Sequence, residues 1–525
     1  MNPQAQGPLR AVRATNEHGR NLGPALILPD DAHNRALVEN VHPPAWTNPT
    51  PSGRYNLVVL GAGTAGLVSA AGAAGLGARV AIVEKHLMGG DCLNFGCVPS
   101  KGVLRAARAV AEVNGSGAFG VRVSRPVDFD FAAAMERMRK SRAGISRNDS
   151  ADRLAKLKVD VFFGEAKFAS PDVVEVDGRR LRFSRAVIAT GARAASPPIP
   201  GIAEAGFLTN ETVFSLTKLP KRLVVIGAGP IGCELAQAFR CFGSEVSILS
   251  RGLRLLPRED ADAAAVLSAQ FEREGIRLML GVKIRKVEKR TEGKVIIFDG
   301  QTAHPEVVGD EILVGVGRAP NVEGLNLEAA GVEFDQTGVK VDDRLRTTNR
   351  RIYAAGDICS VYKFTHAADA MARIVLQNAL FFGRKKASAL VIPWCTYTQP
   401  EVAHVGLYQK EARDRDFDVA TFTVPLAEVD RAVLDGEEEG FGRVHADRKS
   451  GRILGATLVA QHAGEMIAEM SVAITAGLTL GTISRTIHAY PTQVEIWKRL
   501  GDAWNRSRFT PRVRGLFERY LRLRR

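Results

Sequence analysis

The strongest constraint in this chain is a strand, glycine turn, helix and strand that occur twice. The first set has a strand expected at 57–60 and the turn Gly61-Ala62-Gly63-Thr64-Ala65-Gly66. A small-residue helix and a strand at 79–83 follow, and Glu84 stands at the strand's end. The second set has a strand at 223–226, the turn Gly227-Ala228-Gly229-Pro230-Ile231-Gly232, a helix through Phe242 and a strand at 245–249. In each turn the first glycine permits a tight bend, the second lets backbone approach a pyrophosphate, and the third lets helix and strand pack closely. The helix N-terminus favours the phosphate charge. Two dinucleotide-binding units in one α/β chain are therefore expected.

The two units differ where the ribose would lie. Glu84 is placed to accept hydrogen bonds from a ribose diol, whereas the second unit ends in Ser250-Arg251. Arg251 and Arg254 suit a 2′-phosphate, so NADPH is expected at the second unit in preference to NADH.

At 525 residues the chain exceeds one ordinary core, and three or four domains are expected. The uncharged stretch at 57–78 is long enough to span a bilayer, yet it contains the first glycine turn and reads as buried strand, turn and helix. The N-terminus has none of the regions of a secretory signal, so a cytoplasmic location is the expectation. The formal charge of +14 raises the question of nucleic acid, but residues 498–525 alone carry +8 and no nucleic-acid motif accompanies them. No nucleic-acid partner is expected.

Six cysteines in so long a chain do not make a disulfide scaffold. Cys233 and Cys241 read as packing residues on a buried helix. Cys92 and Cys97 differ, because they lie in Gly89-Gly90-Asp91-Cys92-Leu93-Asn94-Phe95-Gly96-Cys97-Val98-Pro99-Ser100-Lys101 at a helix start. Such a pair can close a disulfide, and the positive helix end favours a thiolate. Zinc is the competing reading, but no second Cys/His pair of suitable spacing follows.

With these motifs in order, residues 54–500 resemble the class I pyridine nucleotide-disulfide oxidoreductases, which include dihydrolipoyl dehydrogenase, glutathione reductase and mercuric reductase. The resemblance implies two Rossmann-like domains, for FAD and NADPH, plus a central domain and a C-terminal α+β dimerisation domain in a homodimer. It implies Cys97 as the flavin-facing thiol, Cys92 as the exchanging one, and Lys101 by the reactive flavin edge, paired with Glu234. Other cofactor contacts are expected at Thr190, Gly191, Gly317, Gly356 and Asp357. The implied relay runs from NADPH through flavin and the disulfide to a small acceptor. A helix beginning near His366 would place its N-terminal dipole by the flavin.

One departure bears on the acceptor. Disulfide reductases of this family carry a His-Pro pair near the C-terminus, and here the segment reads His488-Ala489-Tyr490-Pro491-Thr492-Gln493-Val494-Glu495. A phenol, with an ordinary pKa near 10, is a poor base at neutral pH. Tyr490 and Glu495 are similar to the mercuric reductase arrangement, and Cys92 and Cys97 offer soft thiolates for a metal-ion acceptor, Hg(II) above all. Against that branch, the chain lacks a C-terminal vicinal cysteine pair and an N-terminal metal-binding domain, and Phe207 stands where another metal-site Tyr is expected. A dihydrolipoyl dehydrogenase-type enzyme is the alternative, with His488 as replacement base. A redox-sensing flavoprotein bound to a partner or a membrane is the reading outside catalysis.

The expected layout is an extended arm (1–53) with a short helix capped by Asp30, an FAD domain (54–204), a nucleotide domain (205–318), a central domain (319–390), a dimerisation domain (391–497) and a basic amphipathic tail (498–525). In the tail Val513, Leu516, Phe517 and Tyr520 share helical spacing, with arginines on the other faces. Docking of that stripe on the dimer is preferred to peripheral membrane contact.

Overall fold

The computed structural model describes residues 27–124, 127–300 and 305–525. It forms two compact units, one of residues up to 253 together with 275–390, the other of 254–274 together with 391–525. The part of the expected arm before residue 27 lies outside the described residues.

In the first unit, strands Val159–Phe163, Val80–Glu84, Arg54–Leu60 and Arg179–Ile188 run parallel in that order, and Ile352–Ala354 joins Arg179–Ile188. Two antiparallel strands, Val173–Val176 and Ala166–Ser170, complete this seven-stranded sheet. Buried on both faces, its central strands read as near-continuous apolar runs; Leu57 through Leu60 are fully buried. A second sheet of four parallel strands has the order Arg277–Leu280, Glu245–Ser250, Arg222–Ile226, Glu311–Val314. Each glycine turn therefore lies at the carboxyl end of a central parallel strand, the usual ligand position in such sheets. The uncharged stretch at 57–78 is resolved as strand, turn and helix, and among the described residues no helix is long and apolar enough to cross a membrane.

Residues 27–53 are a docked strap, in contrast to the expected arm. Helix Ala32–Val41 is capped by Asp31, whose carboxylate accepts the Asn34 N–H, while the neighbouring Asp30 pairs with Arg35. Leu37 and Val41 are fully buried. Beyond the helix, Trp46 donates to the Val161 carbonyl, and the Asn48 amide exchanges two hydrogen bonds with the backbone of Phe163, extending the sheet's edge. The buried guanidinium of Arg142 donates to Asn34 Oδ1 and to the Asn94 carbonyl, each at 2.7 Å.

The second unit is built on a five-stranded antiparallel sheet in the order Trp394–Thr396, Glu401–Gly406, Ile453–Ala460, Phe441–Asp447, Val419–Pro425. Helix Ile496–Ser507 buries Ile496, Trp497, Leu500 and Trp504 in this core, so residues 498–507 pack with the domain, and the tail proper starts later than expected. His404 and His445 are buried among these strands, bonded through Nδ1 to Thr457 and Thr421. Burial holds both imidazoles well below their ordinary range, to about 3 and about 4. Glu259 accepts from the Trp394 indole and the Tyr408 hydroxyl, and its own burial pushes its pKa up.

Candidate functional site

The two glycine turns share a geometry. Gly61 and Gly227 have φ of +97° and +117°, and a Cβ on either would fall within 2.5 Å of a carbonyl oxygen just past the end of a neighbouring strand, that of Ala189 or Gly315. A Cβ on Gly66 would lie 1.9 Å from the Gly61 carbonyl oxygen, and one on Gly232 would lie 2.2 Å from that of Gly227. These four glycines are required by backbone packing. The middle glycines are not: a Cβ on Gly63 would meet nothing nearer than Gly90 Cα at 3.7 Å, and one on Gly229 would meet nothing within 4 Å. Each caps a helix N-terminus, Thr64–Gly75 and Pro230–Cys241, whose first-turn N–H groups have no intrahelical acceptor. Both turns are open cradles for an anion at the middle glycine.

Glu84 closes the first cradle, its carboxylate accepting the Ala62 and His86 N–H groups at 2.7 and 2.8 Å. Burial raises its pKa. Gly356, with φ of +85°, packs where a Cβ would come 3.3 Å from Ala65 Cβ, which sets Asp357 next to the first turn of that helix. Thr190 is latched to Asn321 by reciprocal hydrogen bonds, and the Gly191 carbonyl accepts the Asn321 N–H. Gly317 has φ of +129° with open space beside it, and Arg251 is exposed at the end of strand Glu245–Ser250.

The cysteines lie on consecutive helices. Cys92 is within Gly90–Asn94, and Cys97 is the first residue of Cys97–Gly115; both are thiols. The Cys97 thiol is pulled below its ordinary range, chiefly by the hydrogen bond from Cys92, then by the Thr365 hydroxyl and the Lys101 charge. Cys92 moves the opposite way, raised by the Cys97 thiolate it serves and by burial. Thr365 Oγ1 lies 3.5 Å from Cys97 Sγ and opens helix Thr365–Leu380, where the dipole near His366 is expected. One turn beyond Cys97, Lys101 Nζ meets Glu234 Oε2 at 2.7 Å, linking the redox helix to the second nucleotide helix.

Sequence reasoning passed over a clamp on the residue preceding Cys92. Arg318 donates to Asp91 Oδ2 at 3.0 Å and to the Ala192 carbonyl, and its Nε lies 3.4 Å from Asp357. Asn210 donates to the other Asp91 oxygen at 2.8 Å. The only local signal was the acid in Gly-Gly-Asp-Cys.

Tyr490 and Glu495 lie in the second unit. The exposed Tyr490 hydroxyl donates to Asp430 at 3.0 Å, and that carboxylate pushes the phenol's pKa up. Arg499 forms ion pairs with both Asp430 and Glu495 at 3.3 Å. His488, its side chain 6% exposed, is tied through Nε2 to Glu469 and through Nδ1 to the Thr486 carbonyl. It is an anchored residue in this arrangement.

With that geometry established, residues 55–372 match the family described as pyridine nucleotide-disulphide oxidoreductase, and residues 392–500 match its dimerisation domain. The chain belongs to the pyridine nucleotide-disulphide oxidoreductase family. Among relatives, a mercuric reductase of Lysinibacillus sphaericus is 35% identical over 84% of this chain and 81% of its own length. A dihydrolipoyl dehydrogenase of Thermus scotoductus is also 35% identical, over 84% of this chain and 95% of its own. Among solved structures, the HOCl-induced flavoprotein disulfide reductase RclA of Escherichia coli aligns with TM-score 0.76 at 29% identity, covering 85% of this chain and 99% of that one.

As a pyridine nucleotide-disulphide oxidoreductase, the chain uses FAD and NAD(P)H. The residues present fit both: the open middle glycines leave room for two pyrophosphates, and Glu84 closes only the first cradle. It is a flavoprotein oxidoreductase with a dimerisation domain.

Proposed function

We propose that the chain is an NADPH-driven homodimeric reductase that passes two electrons through Cys92 and Cys97 to a soft acceptor, Hg(II) first. Bound FAD supplies the two-electron step between NADPH and the disulfide. Gly61, Gly63, Gly66, Glu84, Thr190, Gly191, Gly356 and Asp357 hold FAD, and Gly227, Gly229, Gly232, Arg251 and Gly317 serve NADPH. Lys101, oriented by Glu234, sets a positive charge beside the thiolate of Cys97. Cys92 then meets the acceptor, and the two sulfurs together suit a thiophilic ion.

The observation carrying the choice of acceptor is the Tyr490 hydroxyl bonded to Asp430, with its pKa moved up. A leaving thiolate needs a proton donor at that position, and a phenol further from neutrality serves worse than an imidazole. A metal ion that departs as the element leaves no sulfur of its own to protonate. The tie of His488 to Glu469 argues in the same direction, because a replacement base would have to break it.

A dithiol or disulfide substrate is the second reading, favoured by the relative named dihydrolipoyl dehydrogenase, whose length the chain matches at 95%. Steady-state NADPH oxidation tests both, with Hg(II) in excess thiol, Cu(II), lipoamide and glutathione disulfide in parallel. Cu(II) belongs in the panel because a Cu(II) complex of the similar RclA structure is known. Sustained turnover with a metal ion alone is the expected result. Turnover with a disulfide alone would reject the metal reading, and a single reduction without turnover would leave a sensor.

A further inference from the structure

Helix Pro511–Leu523 lies beyond the family match, which ends at residue 500. Thr510 caps it by accepting the Val513 N–H, with Pro511 in the first turn, so it starts as a well-formed helix. None of its thirteen residues is buried. Leu516 is 68% exposed, Phe517 and Tyr520 each 50%, and Leu521 56%. The preceding helix, Ile496–Ser507, is also amphipathic, yet its apolar side lies in the core.

The unburied stripe is continuous. Val513, Leu516, Phe517, Tyr520 and Leu521 recur at three- and four-residue steps, and Phe509 stacks on Phe517 with ring centroids 5.8 Å apart. Arg519 and Arg522 occupy the opposite side, while Arg512 and Arg514 border the stripe, from where their long stems can carry charge to a phosphate layer. From Arg508 onward there are seven arginines against Glu518 alone.

The geometry points to an anionic lipid surface as the occupant of this face, with the helix lying in the headgroup plane. A basic face opposite an aromatic and leucine-rich one suits that interface. A helix of thirteen residues is about 20 Å long, too short to span a bilayer but sufficient to lie on one. Apart from residues 498–525, which hold +8, a second copy still carries +6 of the formal +14, so it offers this arginine-bordered stripe no net acidic surface.

The test is co-sedimentation of the full-length, FAD-loaded protein with vesicles of phosphatidylcholine plus phosphatidylglycerol, against phosphatidylcholine alone. Binding to the anionic vesicles only, reversed by high salt, is expected. Replacing Arg519 and Arg522 with Ala should weaken partitioning about fivefold for each charge removed. Phe517→Glu should abolish it while NADPH oxidation in solution stays unchanged, which shows that the variant is folded. The proposal is overturned if wild type stays in the supernatant, binds both vesicle types equally, or binds as well with Phe517→Glu. It is also overturned if Phe517→Glu turns a dimer into a monomer, which would make the stripe a subunit contact.

Discussion

The ammonium of Lys101 and the carboxylate of Glu234 meet at 2.7 Å, and Glu234 is 4% exposed. The pair joins the helix that begins at Cys97 to the helix that begins at the second glycine turn. Lys101→Met removes the positive charge beside the Cys97 thiolate and should lower NADPH-driven turnover by roughly tenfold or more. Glu234→Gln keeps the lysine charge and should lose less. Wild-type rates in both variants would remove the pair from the relay.

The thiolate of Cys97 should be visible in its chemistry. With its pKa held below the ordinary thiol range, alkylation of the dithiol form by iodoacetamide should level off at a pH where an ordinary thiol is still gaining rate. In Cys92→Ser the acceptor reaction should vanish while flavin stays bound and reducible by NADPH. If that variant turned over the acceptor at the wild-type rate, Cys92 would not be the exchanging thiol.

Alanine substitutions three residues apart should separate binding from folding. Gly66→Ala forces a Cβ to 1.9 Å from the Gly61 carbonyl oxygen and should yield little soluble protein. Gly63→Ala leaves the chain folded, because its Cβ meets nothing closer than 3.7 Å, but should lose flavin by occupying the open cradle. Absorbance of bound flavin per mole of purified protein reads the difference.

Tyr490→His places an imidazole near Glu495, which already faces Arg499. Turnover with lipoamide or glutathione disulfide should rise by about tenfold or more as a general acid becomes available near neutral pH. No gain with any disulfide would mean that more than the missing imidazole limits that chemistry.

His404 and His445 should make the second unit acid-sensitive. In the unfolded chain an imidazole takes up its proton near pH 6.5, whereas these two resist until about 3 and about 4. Below pH 6.5 the unfolded state therefore binds more protons, and stability falls by roughly 1.4 kcal/mol per pH unit for each histidine. The raised pKa of Glu259 works against this trend. Urea midpoints between pH 7 and pH 5 should drop less in His445→Gln than in wild type.

Both glycine turns were legible in the sequence because much of their constraint is local: a positive φ at Gly61 and Gly227, and for Gly66 and Gly232 a carbonyl five residues back. The redox pair and Lys101 were legible for the same reason, all three lying within ten consecutive residues, with Lys101 one turn beyond Cys97. Arg318 escaped notice because its partner Asp91 is 227 positions away, and nothing in a single sequence couples two such residues. Tyr490 and Asp430, 60 positions apart, were hidden likewise. With two adjacent acids before the first helix, composition could not choose the cap, and backbone geometry selected Asp31. The strap's polar, proline-containing sequence resembles a free arm, and its docking rests on long-range bonds from Asn48 and Arg142.

Arg142 grips the strap at Asn34 and the Cys92 helix at the Asn94 carbonyl with one buried guanidinium, and the Val41 carbonyl accepts the Met88 N–H just ahead of that helix. These bonds tie the strap to the helix that carries Cys92, so the amides of the two segments should open together in native-state hydrogen exchange. Lifting the strap would break the Arg142 and Met88 bonds that brace the helix carrying Cys92, so a helix 51 to 60 residues upstream helps to set how firmly that sulfur is held.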